Sequence, residues 1–393
     1  MTVIGREIDL CIGLPKEPAR LYSEMAEMLI DEFGRSSFRV TIVHDGDRRA
    51  LSADMLLLVG DCLVFQQYPE MLSSMNGPRP ITALWLHDSL PPATFNRRAT
   101  AISSRLALYD QSRLMLRSHM RGVVEAIPLP IRKKLGVGAC AVLLNGLDRE
   151  LGSIAHERLK DLDVNSRYEV LGRSGWIESN WAAGWLDQIY VGTVPRMSFL
   201  SGIGIPSKFI PIGYNRRMGE DLGVIRDVDV AFVGEIEYGR RGRIIEYIQH
   251  ALASRGIRLT VIRGDCYGRA RDQLLSRAKI SLNIPRFPWD HPGIRLLMCM
   301  ACGSMVVSEE MDSVRPFVAG KHLVIASVER LADTIAYYLK NEDERLAVTT
   351  AAKEFIHRDL TMTDALAEML APMGGAFGVS SWRDEARVAV GEK

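Results

Sequence analysis

The feature that most limits what this chain can fold into is a repeated alternation of short apolar runs with stretches of helical periodicity. Residues 8–12 form a short apolar run. Residues 19–33 follow with Leu21, Met25, Met28 and Leu29 at helical spacing. Further runs at 40–43, 55–59 and 82–86 read as buried strands, and later strand candidates fall at 123–127, 141–144, 168–171 and 189–191. Strands that are apolar throughout suit a parallel sheet covered on both faces. The helical stretches between them are the crossovers that such a sheet requires.

The pattern pauses and then starts again. Residues 211–226, with Gly213, Gly219 and Gly223 among charges, read as a linker. A strand at 228–232 and a turn at 233–235 follow. The next helix, 241–253, places Ile244, Ile245, Ile248 and Leu252 on one face. Strands at 259–262, 280–284 and 305–308 come next, with a helix at 293–301 that stops at Gly303. Helices at 331–339 and 343–355 close the block. The expected fold class is α/β, with two Rossmann-like domains facing a cleft. The expected division is 1–214, 215–358, and a C-terminal helix and tail at 359–393 crossing back to the first domain. In open sheets of this kind ligands bind beyond the carboxyl ends of the strands, so the informative residues are those just after strands.

Composition narrows the function classes. With 47% hydrophobic and 25% charged residues the chain has a globular balance. A net charge of +1 argues against nucleic acid as a partner. Residues 1–10 carry Arg6, Glu7 and Asp9 and do not read as a secretory signal, and no run of about 18 apolar residues occurs. Six cysteines are too few for a disulfide scaffold. Cys11, Cys62, Cys140 and Cys266 read as buried thiols, and the expected location is the cytoplasm. Cys299 and Cys302 form a C-x-x-C without the second pair that zinc needs, and read as small core residues. No metal site and no resident cofactor are expected. Asp227-Val228-Asp229 begins a strand, whereas a metal-binding D-x-D beside a donor ends one. No completed dinucleotide fingerprint, phosphate loop or nucleophile elbow is present.

Two constellations carry possible chemistry. Residues 280–307 run from a strand ending at Asn283, through a proline-punctuated loop, into a helix opened by His291-Pro292-Gly293-Ile294-Arg295. Free backbone N–H groups at a helix start favour an anion, glycine allows close approach, and an arginine fork suits phosphate. A buried helix behind an ordinary loop is the alternative. Gly234-Glu235 and the arginines Arg240, Arg241 and Arg243 form the second. Positive charge at a helix start opposes the helix dipole, which an anion would relieve; solvation of the helix start is the alternative. Arg263, after the next strand, could meet base or phosphate, and a surface ion pair is its ordinary explanation. In the first half, His87-Asp88 ends an apolar strand, and Gly13 follows the first strand with Lys16 nearby. Arg113, Arg117 and Arg121 recur every four residues. A solvated face explains them, and contact with an anionic membrane surface is the other reading.

The second half resembles the donor-binding segment of GT-B glycosyltransferases, in particular the CgeB-like group. The resemblance rests on Asn283-Ile284, Gly293-Ile294-Arg295, Ala301-Cys302-Gly303 and Val306-Val307-Ser308, and on Val230–Gly234 with Arg240, Arg241 and Arg243. It extends to Val314-Arg315-Pro316-Phe317, the helix ending Tyr337-Tyr338-Leu339, and His357–Thr361, covering roughly 225–361. It implies transfer of a sugar from a nucleotide sugar to a glycan, lipid-linked or small-molecule hydroxyl acceptor, with anomeric configuration retained. By the same resemblance, His87, Asp88 and Asp290 are the catalytic candidates. Gly13, Gly234, Glu235, Arg240, Arg241, Arg243, Arg263, Asn283, His291, Gly293, Ile294 and Arg295 are the donor-binding ones. Two glutamates of the wider group fall at Asp290 and Met298 in this chain, and methionine cannot hold a ribose hydroxyl as a carboxylate does. Glu309 or Glu310 could take that task. A scaffold that kept the fold after losing chemistry, or a sugar-nucleotide epimerase, are the competing functions.

Overall fold

The computed structural model describes residues 8–16, 20–34, 38–95, 162, 164–236, 239–264, 266–291 and 293–377. Two parallel sheets organise them. The first contains β1 (Ile8–Gly13), β2 (Phe38–Val43), β3 (Met55–Gly60), β4 (Ile81–Leu86), β5 (Gln188–Val191) and β6 (Lys208–Phe209), in the order β2-β1-β3-β4-β5-β6. The central strand β3 is buried at every residue, as its unbroken apolar run requires. Helices α1 (Arg20–Phe33), α2 (Tyr68–Ser73), α3 (Val164–Ala182) and α4 (Val194–Gly202) belong to this half.

The second sheet contains β7 (Val228–Val233), β8 (Leu259–Ile262), β9 (Ala278–Asn283), β10 (Met305–Glu309) and β11 (Val324–Ala326), in the order β11-β10-β9-β7-β8. Its helices are α5 (Arg240–Ala253), α6 (Gly268–Arg277), α7 (Gly293–Ala301), α8 (Leu331–Lys340) and α9 (Glu342–Arg358). The order reverses between β7 and β9, and a doubly wound sheet opens its ligand crevice at such a point.

The last described helix, α10 (Met362–Phe377), packs back on the first sheet. Tyr190 Oη donates to the carbonyl of Met369 at 2.8 Å, and Thr363 Oγ1 to Glu32 Oε2 at 2.7 Å. The chain enters α10 beside Tyr214, which pairs with Thr361. Gly213 lies so close there that a Cβ would sit 2.0 Å from the Thr361 carbonyl oxygen, which only glycine tolerates. One apolar cluster runs unbroken from Leu10, Met28 and Phe33 through Leu296 and Leu297 of α7 to Ile356 and Leu366.

One expected strand is a helix instead. The run at 168–171 is helical, inside α3, and buries Val170, Leu171, Ser174 and Ile177 at helical spacing. Four residues alone carry no period, and the longer pattern decides. The segment at 211–226, expected as a linker, buries Met218 fully and leaves Ile225 exposed. The loop between β9 and α7 crosses to the other half, where Phe287 and Trp289 join the core beneath α3. The runs at 123–127 and 141–144 lie outside the described residues.

Candidate functional site

A cavity of about 430 Å³ opens between the two sheets at the carboxyl ends of their strands. Residues from both halves line it. Tyr22, His87, Asp88, Gly192, Thr193 and Arg196 come from the first, and Gly234, Glu235, Arg241, Gly293, Ile294 and Arg295 from the second. The volume is in the range of small-molecule sites, roughly 300–1,000 Å³.

Arg295 is the decisive residue on the second wall. It stands in the first turn of α7, its guanidinium 5.7 Å from the ring centroid of Phe232. Its Nη1 is buried without a hydrogen-bond partner, and no carboxylate pairs with it among the described residues. Burial lowers its pKa, the cost of removing a cation from water. Gly234 makes room for it: with φ +147°, a Cβ there would lie 3.0 Å from Arg295 Nη2. Behind it, Arg241 donates from Nη1 to the carbonyl of Glu235 at 3.0 Å. Arg271 also lines the cavity and ties the halves together, pairing with Glu24 of α1 at 2.7 Å.

The opposite wall is built from the ends of β4 and β5. Burial first, and then the nearby Arg196, push the His87 imidazole down to about 3, so it is neutral at ordinary pH. Its Nε2 is buried and has no partner, and its ring sits 4.5 Å from Trp85, edge to face. Asp88 is pushed up to about 6 by desolvation; Asp61 adds to the rise, and Arg173, 3.7 Å away, opposes it. Arg173 is itself held by Asp61 at 2.8 Å and by Glu169 at 3.3 Å.

The remaining expected residues are placed differently. Asp290 does not reach the cavity. Its side chain is fully buried, pairs with Arg196 at 2.7 Å and accepts from Ser89 Oγ at 2.6 Å. Burial, the largest single effect, would raise this carboxyl, but Arg196, His291 and hydrogen bonds from Ser89 and Thr193 together outweigh it, and the net shift is downward. His291 is buried, with Nε2 2.9 Å from the Arg315 carbonyl oxygen. Asn283 is buried, with Nδ2 donating to Ser308 Oγ at 2.9 Å. Arg240, expected among the donor-binding residues, pairs with Glu309, the residue considered for the ribose. Arg243 and Arg263 line a separate outer concavity beside α5 and β8. Gly13 is packed, since a Cβ there would meet Leu58 at 2.7 Å. Met298 does line the cavity. Arg113, Arg117 and Arg121 lie outside the described residues. Sequence reasoning missed Arg196, Arg173, Arg271, Arg286 and Thr193. All but Thr193 are arginines on helices or loops without a motif, and only the tertiary fold brings them to one place.

Residues 224–371 match the family model described as glycosyl transferase-like. No curated protein matches the chain. Among solved structures, Anabaena HepE in complex with UDP and glucose superposes with a TM-score of 0.52 at 10% identity, over 94% of this chain and 100% of that one. The HepE complex with UDP-glucose gives 0.51 at 9% identity over the same shares. A TarM mutant of S. aureus, in complex with Fondaparinux, alpha-GlcNAc-glycerol and UDP, gives 0.41 at 10% identity. That match spans 47% of this chain and only 43% of TarM. At such identities the likeness is one of fold. The strand orders, the cleft between the sheets and the matched segment agree: the chain has the GT-B fold, and its residues 224–371 are similar to a glycosyl transferase-like family.

Proposed function

We propose that this protein moves a sugar from a nucleoside diphosphate sugar to a hydroxyl acceptor within the cavity between its sheets. One observation carries the reading. A buried guanidinium without a counter-charge, Arg295, stands at the start of α7, where backbone N–H groups also lack helical partners. A diphosphate answers both. As the C1–oxygen bond to the diphosphate breaks, charge builds on the departing oxygen, and a fixed cation in a desolvated site stabilises it. HepE was solved with UDP-glucose, so a uridine diphosphate hexose is the first donor to test.

The proposed transfer needs no metal, because Arg295 and Arg241 supply positive charge, and it retains anomeric configuration. Asp290 is locked to Arg196 and Met298 has no carboxylate, so α7 and its loop offer no nucleophile. The acceptor oxygen then bonds to C1 from the side the diphosphate leaves, and its proton passes to the departing phosphate oxygen. His87, neutral and with a free Nε2, hydrogen-bonds a sugar hydroxyl. Met298 also favours a second reading, a nucleotide-binding protein without turnover.

The test is thermal stabilisation by nucleoside diphosphates and their sugars in the presence of EDTA. Ligand at ~100 times its dissociation constant adds about 2.7 kcal/mol. A shift with one nucleotide, lost in Arg295→Ala, supports the donor site. Binding without release of sugar to water or to any acceptor favours the second reading, and no shift at all rejects both.

A further inference from the structure

The second sheet turns the ends of β9, β7 and β8 towards the cavity in that order, and the groups along this edge differ in kind. After β9 stands α7, with Arg295 in its first turn. At the end of β7, Gly234 lies against the Arg295 guanidinium. Glu235 comes next. Its Oε1 is 3.5 Å from where a Cβ on Gly264 would sit, just past the end of β8. The Glu235 side chain therefore reaches to the edge strand, on the far side of β7 from β9 and α7. Its backbone carbonyl is fixed by Arg241, but among the described residues its carboxylate has no hydrogen-bond or ion-pair partner. It is exposed, and it is the only carboxylate that the second half brings to the cavity lining among the described residues. Helix α7 brings Ile294, Met298 and Cys299, none of them a strong acceptor. Glu309 is taken up by Arg240.

Resting on the donor reading above, we propose that Glu235 holds the ribose of the donor, its carboxylate accepting hydrogen bonds from the two adjacent ribose hydroxyls while Arg295 holds the diphosphate. A carboxylate set against a diphosphate would repel it. One set a strand farther along meets the next unit of the same molecule. Neighbouring strands lie about 4.8 Å apart, and the ribose joins the α-phosphate through a single carbon. Two vicinal hydroxyls present two donors, and an ionised carboxylate presents two acceptor oxygens and no proton. Gly264, without a side chain, leaves the space beyond Glu235 open, with Cys266 and Tyr267 lining it. The donor class is therefore a ribonucleoside diphosphate sugar, and not a sugar diphosphate on a lipid or on a deoxyribose.

Calorimetric titration of the full chain tests this, with pyrophosphate, with UDP, GDP, ADP and CDP, and with the 2′,3′-dideoxy form of whichever nucleotide binds tightest. The parent prefers the ribo form about ten- to a hundred-fold, the worth of one charged hydrogen bond. Glu235→Ala removes that preference by weakening the ribo form alone, and binds the dideoxy form and pyrophosphate no more weakly than the parent does. The side chain is exposed and unpartnered, so this variant keeps its fold. Equal binding of the two forms by the parent overturns the proposal, as does a preference that persists in Glu235→Ala. A changed choice among the four bases, with the ribo preference intact, assigns the carboxylate to the base and also contradicts it. In each of these cases pyrophosphate binding that Arg295→Ala abolishes leaves the donor site standing. No binding of pyrophosphate or of any of the four nucleotides removes the donor site, and this proposal with it.

Discussion

Arg295 illustrates how a single residue can be wrong for stability and right for binding. A buried cation without a carboxylate costs the folded state, and function explains why it stays. We expect Arg295→Met to raise unfolding free energy by about 1–3 kcal/mol in urea denaturation. The same change should weaken nucleotide binding about ten- to a hundred-fold, the worth of one charged hydrogen bond. Asp88 makes a second, pH-dependent case. Its carboxyl titrates near 3.9 in an unfolded chain and at about 6 when folded. The folded state thus binds the proton more tightly. This contribution to stability is complete below the unfolded value and is lost as pH rises through about 6. A third of the Asp88 side chain is exposed, so solvent screening reduces the effect to about 1 kcal/mol. Asp88→Asn should therefore be more stable than the parent at pH 7.5 and equal to it near pH 3.5, as read from paired denaturation curves.

Among the elements, the loop from β9 to α7 links fold to chemistry. It starts at the end of a second-sheet strand, yet Trp289 is buried in the first half and its Nε1 donates to the Leu90 carbonyl at 2.8 Å. Arg286 pairs with Glu169 of α3 at 2.7 Å. The loop thereby holds the start of α7, and with it Arg295, against the opposite wall. Trp289→Ala should cost about 3–5 kcal/mol in stability, and should also weaken nucleotide binding although Trp289 does not line the cavity. Stability loss with unchanged affinity would show that the loop does not position α7. Sequence periodicity located most strands and helices because each is a local pattern. It placed Gly293–Arg295 at a helix start because glycine, arginine and the preceding strand lie within a few residues of one another. It could not show that Asp290 turns away to meet Arg196, since that pair joins residues 94 positions apart. Nor could it separate Arg240, neutralised by Glu309, from Arg295, which has no such partner.

At the scale of the whole molecule, the two sheets do not form independent bodies. The core that runs from Leu10 to Leu366, the Glu24–Arg271 pair and the return of α10 all cross between them. Calorimetry should show one unfolding transition for both halves, and two separated transitions would contradict this continuity. The repeated strand–helix pattern made the two-sheet architecture legible early, because the central strands, such as Met55–Gly60, are apolar runs set between stretches of helical periodicity. The cavity was legible only as a place, beyond the strand ends, since its charge balance depends on ion pairs that span the fold. The central claim is that Arg295 and the start of α7 hold the donor diphosphate in this cavity. A crystal structure of the protein soaked with UDP tests it most directly. The β-phosphate is expected within hydrogen-bonding distance of Arg295 and the backbone N–H of the first α7 turn. Density in the outer concavity beside Arg243 and Arg263, with Arg295 untouched, would contradict it.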